Sequence, residues 1–364
     1  MQVGLLDTWR RPARTRGALA WVVAAALTTF YLLLYLPGSW LTPGFPDVLT
    51  PVAAAVHLPS KWFLYGALYS VLMIGGAVPM LRRHRGSRYH LVRTAVLLFV
   101  QLTLAFSLPL ALNLTGRPEL YLSYVWPLSY DKLFPGTLSG MPVAAAIWFV
   151  FAALIGFPLM AWRFGKRFYC SWVCGCGGLA ETFGDPWRQL SDKSAAAWRL
   201  ERVTLYSVLT AVLGLTVLEV LSLWLPLGHV AEVVKGLYSF FVGALFSGVL
   251  GVGLYPLMGS RVWCRFGCPM AAILGIIQRF GRFRIAVKQD QCIACGNCST
   301  YCEMGIDVRA YAMANLDVRR VSCVGCGMCA HVCPRGVLRL THGGPGEPKT
   351  AAPVTPGMWE LDLG

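Results

Sequence analysis

Charged side chains are scarce in this sequence. Only 13% of its 364 residues are Asp, Glu, Lys or Arg, whereas 56% are hydrophobic, and the mean hydropathy is +0.57. These values are typical of a membrane protein that carries a small soluble module. Acidic residues are rarer than basic ones, with 17 against 32, which gives a formal charge of +15.

Several functional signatures are also missing. No G-x-G-x-x-G sequence follows a predicted strand and no Walker sequence occurs, which argues against direct chemistry on NAD(P)H or ATP. The first apolar run lacks a small-residue cleavage site and therefore favours an uncleaved signal anchor. Histidine occurs only six times. His57 and His229 fall in predicted connections outside the spans. Either is a candidate proton acceptor or haem ligand, although the two are not paired on a helix as haem ligation would favour.

Six apolar runs are long enough to cross a bilayer, which takes about twenty helical residues. They lie at 17–36, 62–81, 91–112, 142–162, 203–225 and 236–258. A shorter apolar piece at 48–58 cannot span and is expected to lie in the interface. The sequence therefore predicts an α-helical polytopic membrane protein.

Basic residues are unevenly distributed between the connections. If the N-terminus is cytoplasmic, 22 Lys and Arg fall in the inside segments, which are 1–16, 82–93, 163–202 and 259–291. Four fall in the outside segments, which are 37–61, 113–141 and 226–235. The positive-inside rule then predicts a bacterial inner-membrane protein with both termini in the cytoplasm, where thiols stay reduced. The basic excess thus reflects topology, and no nucleic-acid partner is expected.

Eight of the thirteen cysteines form two runs near the C-terminal end. Each run has the C-x2-C-x2-C-x3-C spacing of bacterial two-cluster ferredoxins, in which the fourth cysteine binds the other cluster. One 4Fe–4S cluster is therefore assigned to Cys292, Cys295, Cys298 and Cys333. The second is assigned to Cys302, Cys323, Cys326 and Cys329. Zinc would not need a third cysteine at this spacing.

Four further cysteines belong to an internal repeat. The stretch from Gly165 through Cys170 to Cys174 aligns without a gap with the stretch from Gly259 through Cys264 to Cys268, at an offset of 94 residues. Each copy places C-x3-C just beyond a predicted span on the cytoplasmic face, which indicates duplication. The four thiols are candidates for an additional redox or metal site, a further cluster, disulfides or a buried apolar role. Cys176, in the glycine-rich stretch after the first copy, has no counterpart.

Other residues give weaker predictions. Glu219 lies inside the fifth apolar run, where an ionisable group is costly, and is a candidate proton acceptor for quinol unless it is hydrated near the outer interface. His331 is expected to tune the surroundings of a cluster. Glu181, Asp185 and Arg188 are expected to begin a surface-lying amphipathic segment.

Together the paired C-x3-C motifs, the two-cluster runs and the segment Met304-Gly-Ile-Asp307 resemble a family of polytopic membrane 4Fe–4S ferredoxin-type proteins. Its members include the H-type subunit of periplasmic nitrate reductase, the C-terminal half of the nitrous oxide reductase regulator, and oxidase accessory proteins of the FixG and RdxA type. The resemblance covers about 142–340.

The resemblance implies electron transfer between the quinone pool, or a membrane redox partner, and a protein partner through two cytoplasmic 4Fe–4S clusters. The expected partners are membrane lipid, quinone, and other electron-transfer subunits or a ferredoxin-like protein. Two alternatives stay open: a copper reductase in cofactor assembly that uses the C-x3-C thiols, and a redox-sensing regulator. Copper or a third cluster would be the additional cofactor.

The sequence divides into four regions. Residues 1–141 form an N-terminal membrane region with three helices, and 142–284 form the duplicated membrane region. Residues 285–342 form an α+β ferredoxin-like domain with two 4Fe–4S clusters, and 343–364 form a flexible tail.

Overall fold

The computed structural model describes residues 18–38, 42 and 44–342. The predicted tail at 343–364 lies outside this part of the chain. Within it, six helices are long and apolar enough to cross a membrane, which confirms the predicted number. They are Ala18–Tyr35, Lys61–Arg83, Arg88–Leu114, Val143–Phe164, Ala195–Leu221 and Gly228–Leu250.

The last two spans begin and end earlier than the apolar runs predicted. The fifth begins at Ala195 and not at 203, because the Ser194 hydroxyl accepts a hydrogen bond from the Ala197 N–H and caps the helix. Its first turns carry charged residues, so hydropathy alone missed them. The sixth ends at Leu250, where a turn rich in glycine separates it from the short helix Tyr255–Met258.

Three spans contain π-helical turns, which are wider than α-helical turns. They occupy Gln101–Ser107 in the third span, Ala152–Gly156 in the fourth and Ser239–Leu250 in the sixth. Such turns occur frequently at functional sites because they displace side chains from the regular helical pattern.

Shorter helices fill the connections. The apolar piece predicted at 48–58 contains one of them, Leu49–Ala55. Two 3₁₀ segments, Tyr130–Leu133 and Asp185–Leu190, flank the duplicated region and the first cysteine turn. The remaining short helices before the C-terminal domain are Pro135–Ser139, Arg167–Cys170, Gly175–Glu181, Val262–Phe266 and Pro269–Phe280.

The C-terminal domain is built on a small antiparallel sheet. Strand β1, Arg284–Val287, pairs with strand β2, Leu338–Thr341, so that Arg284 lies opposite Thr341. Between the strands lie the helices Asn297–Thr300, Val308–Met313 and Met328–His331. This arrangement agrees with the predicted ferredoxin-like domain.

One hydrophobic core joins this domain to the membrane region. It contains Cys170 and Cys264 from the two repeats together with Cys298 and Cys323 from the C-terminal domain. The first cysteine turn and the C-terminal domain are in direct contact, since the Ser171 hydroxyl donates to the Val324 carbonyl at 2.9 Å.

Candidate electron-transfer site

The C-terminal cysteines surround two separate cavities. One cavity is lined by Cys292, Cys295, Cys298 and Cys333. The other is lined by Cys302, Cys323, Cys326 and Cys329. The structure therefore brings together the same two sets of four that the sequence spacing assigned.

Glycines and backbone donors shape these cavities. Gly296 and Gly327 adopt φ values of +82° and +81°, which glycine reaches without a steric penalty, and each begins a short helix that carries the third cysteine of its run. The N–H groups of Ile306 and Val337 lie 3.4 Å from the Sγ atoms of the fourth cysteines and donate to them. Four thiols, apolar walls and backbone donors fit a 4Fe–4S cluster in each cavity.

Burial raises the pKa of the Cys298 and Cys323 thiols to about 11. A thiolate is the form that binds iron, and burial disfavours it unless a positive charge is near. Iron would supply that charge, so metal binding and folding of this domain should be coupled.

The four cysteines of the repeat are equally enclosed. Cys170, Cys174, Cys264 and Cys268 are each only 5% or 6% exposed. Cys268 lies close enough to the other three for their charges to raise its pKa further, after burial as the main cause. No three His, Cys, Asp or Glu side chains in the described ranges are arranged to hold a single metal ion.

Cys174 differs from its neighbours. Its thiolate accepts hydrogen bonds from the Cys176 thiol and the Gly177 N–H, which together lower the pKa of Cys174 to about 7 despite burial. Burial raises the pKa of Cys170 to about 12. The sequence did not predict this contact between Cys174 and Cys176.

The first cysteine turn reaches deeper than predicted. Gln101 lies midway along the third span, and its side-chain amide donates to the carbonyl of Val173. The Tyr69 hydroxyl in the second span donates to the Gly175 carbonyl at 2.8 Å. The turn therefore folds back between the spans, where these polar side chains satisfy its backbone.

A buried ionic network connects the two cysteine regions. It comprises Arg93, Glu181, Arg188, Arg261 and Glu303, all at most 2% exposed. Glu181 pairs with Arg93 at 2.6 Å, and Glu303 pairs with both Arg188 and Arg261 at 3.0 Å. Burial alone would raise the pKa of Glu303, but Arg188 and Arg261 outweigh it and hold this pKa at about 2.

Two arginines of the network lie near cysteine sulfur atoms, one in each cysteine region. Arg261 Nη1 lies 3.1 Å from the carbonyl oxygen of Cys170 and 3.8 Å from Cys264 Sγ. Arg188 Nη1 lies 3.8 Å from Cys326 Sγ, and Glu303 directly follows Cys302. Positive charge beside sulfur stabilises the reduced, more negative state of a bound cluster.

The network corrects one prediction. Glu181, Asp185 and Arg188 do not begin a surface-lying segment, since they are 0%, 7% and 2% exposed. Hydropathy placed them at the surface because they are charged. They can be buried because partners from distant parts of the chain neutralise them.

A cavity of about 570 Å³ lies beside the first cysteine turn. Gly175 and Cys176 form part of its wall, together with Gln101 and Glu119. Eight tyrosines line it: Tyr31, Tyr35, Tyr65, Tyr69, Tyr121, Tyr124, Tyr130 and Tyr238. Aromatic walls with a few polar groups are typical of sites for organic cofactors and substrates.

Gly175 cannot carry a side chain in this wall. A Cβ atom there would lie 2.4 Å from the Tyr124 hydroxyl oxygen and 2.8 Å from Gln101 Oε1. The Tyr69 hydroxyl would be 2.9 Å away. The cavity therefore approaches the cysteine turn at a point where only glycine fits.

Other predicted site residues lie elsewhere. Glu219 does not line this cavity, and its Oε1 is buried without a hydrogen-bond partner in the described part of the chain. His331 packs against His84 and His90, each with 5.1 Å between ring centroids. Sequence reasoning missed those two histidines, because they are distant from the cysteine runs in the chain.

Two family profiles match the chain. A 4Fe–4S dicluster domain matches residues 285–340. A 4Fe–4S binding domain matches twice, at 146–193 and 240–288, and so covers both C-x3-C repeats. No solved structure matches the chain significantly.

Two bacterial proteins illustrate the relatives. A protein of Escherichia coli K12 named as the electron transport protein YccM is 26% identical over 189 residues, 49% of this chain and 51% of that protein. The methylamine utilization ferredoxin-type protein MauN of Paracoccus denitrificans is 33% identical over 173 residues, 47% of this chain and 59% of that protein. The chain thus spans about half to three-fifths of the length of these relatives.

The six spans, the paired cysteine sets and these matches define a class, the membrane-bound iron–sulfur electron carriers. Within that class, the chain fits the polytopic membrane 4Fe–4S ferredoxin-type family.

Proposed function

We propose that the protein oxidises quinol in the membrane and passes the electrons, through its two C-terminal 4Fe–4S clusters, to a protein acceptor on the cytoplasmic side. The observation that carries this proposal is the contact between the aromatic cavity and the cysteine turn at Gly175 and Cys176. A quinol in the cavity would lie against the part of the fold that leads to the clusters.

The cavity has the composition that a quinol head group needs. Its walls are largely aromatic, and the Tyr69 hydroxyl oxygen and Gln101 Oε1 can accept hydrogen bonds from a quinol beside the cysteine turn. The Tyr69 O–H and the Gln101 amide N–H themselves donate to carbonyls of the turn. Two of the three π-helical stretches, at Gln101–Ser107 and Ser239–Leu250, contribute to its walls. A membrane-embedded cavity of this kind favours a lipid-soluble redox molecule over a water-soluble one.

Oxidation of a quinol releases two protons and two electrons. Glu119, another residue of the cavity wall, accepts hydrogen bonds from the Tyr121 hydroxyl at 2.9 Å and from the Asn113 amide at 3.0 Å. These contacts are exposed, so Glu119 can take up a proton and release it to solvent. Glu219 stays a predicted proton acceptor outside this cavity.

The electrons would leave toward the C-terminal domain. The clusters, when bound, each carry one electron, so two clusters match the two electrons of a quinol. One hydrophobic core contains cysteines of both regions. The buried ionic network places Arg188 beside Cys326 Sγ and Arg261 beside Cys264 Sγ. The excess of basic residues in the connections on that side supports a cytoplasmic position of the domain.

Stopped-flow absorbance tests the proposal with the full-length protein in detergent. A short-chain quinol should bleach the iron–sulfur absorbance of the wild type, and Tyr69→Phe should slow this bleaching about tenfold through the loss of one hydrogen bond. Tyr206→Phe, at a side chain in the fifth span that is 36% exposed, is the matched control and should leave the rate unchanged.

If dithionite reduces the clusters but quinol does not, the proposed quinol oxidation is wrong. Equal rates for the Tyr69→Phe variant and the wild type would show that quinol binds elsewhere.

A further inference from the structure

We propose that Cys170, Cys174, Cys264 and Cys268 jointly bind a third 4Fe–4S cluster, shared between the two repeats of the membrane region. This site is additional to the two clusters of the C-terminal domain. The proposal rests on the cysteines of the repeats and not on quinol oxidation.

Each repeat by itself is an incomplete site. A 4Fe–4S cluster takes four cysteine thiolates, but each repeat contains only two equivalent cysteines. Both repeats nevertheless match the same 4Fe–4S binding domain. One cluster held by both repeats supplies the full ligand set.

The two repeats have the same local geometry. In the first, the Cys174 N–H donates to the Tyr169 carbonyl at 2.7 Å; in the second, the Cys268 N–H donates to the Trp263 carbonyl at 3.0 Å. Cys174 and Cys268 both precede a helix and have extended backbones, with ψ values of 130° and 112°. The fold therefore presents two equivalent pairs of thiols.

The pairs face a common interior. All four cysteines belong to the same hydrophobic core and are at most 6% exposed. Arg261, from the second repeat, donates to the Cys170 carbonyl of the first and so holds the repeats together. Arg261 Nη1 lies 3.1 Å from the Cys170 carbonyl oxygen and 3.8 Å from Cys264 Sγ, so the first cysteines of the two repeats are close neighbours.

Positive charge is available for a bound cluster. Four thiolates around a 4Fe–4S core leave a net negative charge, which is costly to bury without compensation. Arg261 Nη1 lies 3.8 Å from Cys264 Sγ, and the charge of the buried Lys166 acts on Cys170. Lys166 Nζ donates to the Ala271 carbonyl at 3.4 Å, and a bound cluster would give this ammonium a counter-charge. Arg261 is already paired with Glu181 and Glu303.

Cys176 serves as the matched control. It has no counterpart in the second repeat, and it lines the aromatic cavity, whereas Cys170 and Cys174 do not. We therefore place Cys176 outside the ligand set. Its thiol contacts Cys174, and the same residue lines the aromatic cavity.

Iron and sulfide analysis of the full-length protein, purified without oxygen, tests the proposal. We expect about twelve irons and about twelve sulfides per chain, because each of three clusters holds four of each. The double variant Cys264→Ser/Cys268→Ser should hold about eight irons and keep the EPR signals of the C-terminal clusters, which also shows that it is folded. Cys176→Ser should keep about twelve.

Other results would overturn the proposal. About eight irons in the wild type, or an unchanged iron content in the double variant, would show that no third cluster exists. One copper or zinc ion bound by these thiols would replace it with a mononuclear site. If the double variant does not fold, Cys170→Ser is the second test: exchange of one sulfur ligand for oxygen should shift the EPR signal of a third cluster, and identical spectra would exclude Cys170 as a ligand.

Quinol oxidation can fail independently. Tyr69→Phe should keep about twelve irons whatever its rate with quinol, since Tyr69 bonds to the Gly175 carbonyl and not to a thiol. An iron content of about twelve without quinol reactivity would retain the third cluster and reject the quinol site.

Discussion

At the scale of single residues, Glu303 connects the two cysteine regions. It directly follows Cys302, is 1% exposed and pairs with two arginines that approach sulfur in different parts of the fold. In the sequence, Glu303 is an acidic residue that follows a cysteine, and its neighbours along the chain do not indicate which side chains it contacts.

Glu303→Gln should destabilise the protein by about 3–5 kcal/mol at neutral pH, because it leaves Arg188 and Arg261 buried without their shared carboxylate. Thermal unfolding in detergent measures this change. Glu232→Gln removes an exposed pair with Lys235 and should cost at most about 1 kcal/mol. Equal effects of the two substitutions would contradict the role of the network.

The pH dependence follows from the same carboxylate. The pKa of Glu303 in the folded protein is about 2, below its ordinary value of 4.5. Its stabilising contribution is therefore complete above pH 4.5 and is lost as the pH falls toward 2. The difference in melting temperature between wild type and Glu303→Gln should shrink over that range, and a constant difference would argue against it.

Gly175→Ala tests the closest approach of the cavity to the cysteine turn. The added Cβ would lie within 3 Å of the Tyr124 hydroxyl and the Gln101 amide oxygen, so the wall must shift. We expect slower reduction by quinol at an unchanged iron content. Gly214→Ala is the control, because a Cβ there meets no atom within 4 Å; if both variants react alike, the fit at Gly175 is irrelevant.

At the scale of elements, the fifth span holds the C-terminal domain in place. Glu201, in the first turns of this span, pairs with Arg265 of the second repeat at 2.8 Å and accepts a hydrogen bond from Ser322 of the two-cluster domain. This explains why the span begins earlier than hydropathy predicted. The additional helical turns precede the apolar run, and their polar side chains contact the second repeat and the two-cluster domain.

Glu201→Gln should loosen three elements together, since it leaves the Arg265 guanidinium buried without a counter-charge. Hydrogen exchange should increase in 195–202, 262–266 and 320–324. Arg199→Ala, two residues away at an exposed position, should leave exchange in 262–266 and 320–324 unchanged. Faster exchange only near position 201 would show that the contact does not join these elements.

At the scale of the whole molecule, the arrangement of spans decides which compartment supplies the electron acceptor. The basic residues predict that the C-terminal domain faces the cytoplasm. Alkaline phosphatase fused after His342 should be inactive, and the same reporter fused after Gly116, between the third and fourth spans, should be active. The reverse pattern would place the clusters outside and would reject a cytoplasmic acceptor.

The sequence by itself determined the number of spans, the two-cluster domain and the existence of a repeat. It also predicted a division of the eight cysteines into two sets, and the same two sets line the two cavities. These features depend on local spacing and on runs of apolar residues, which are visible along the chain. Only the tertiary structure decided that Glu181 and Arg188 are buried, that Cys174 contacts Cys176, and that an aromatic cavity adjoins Gly175. Each of these depends on partners from distant segments, since a buried charge is stable only where the fold supplies its counter-charge and a cavity exists only where several helices meet.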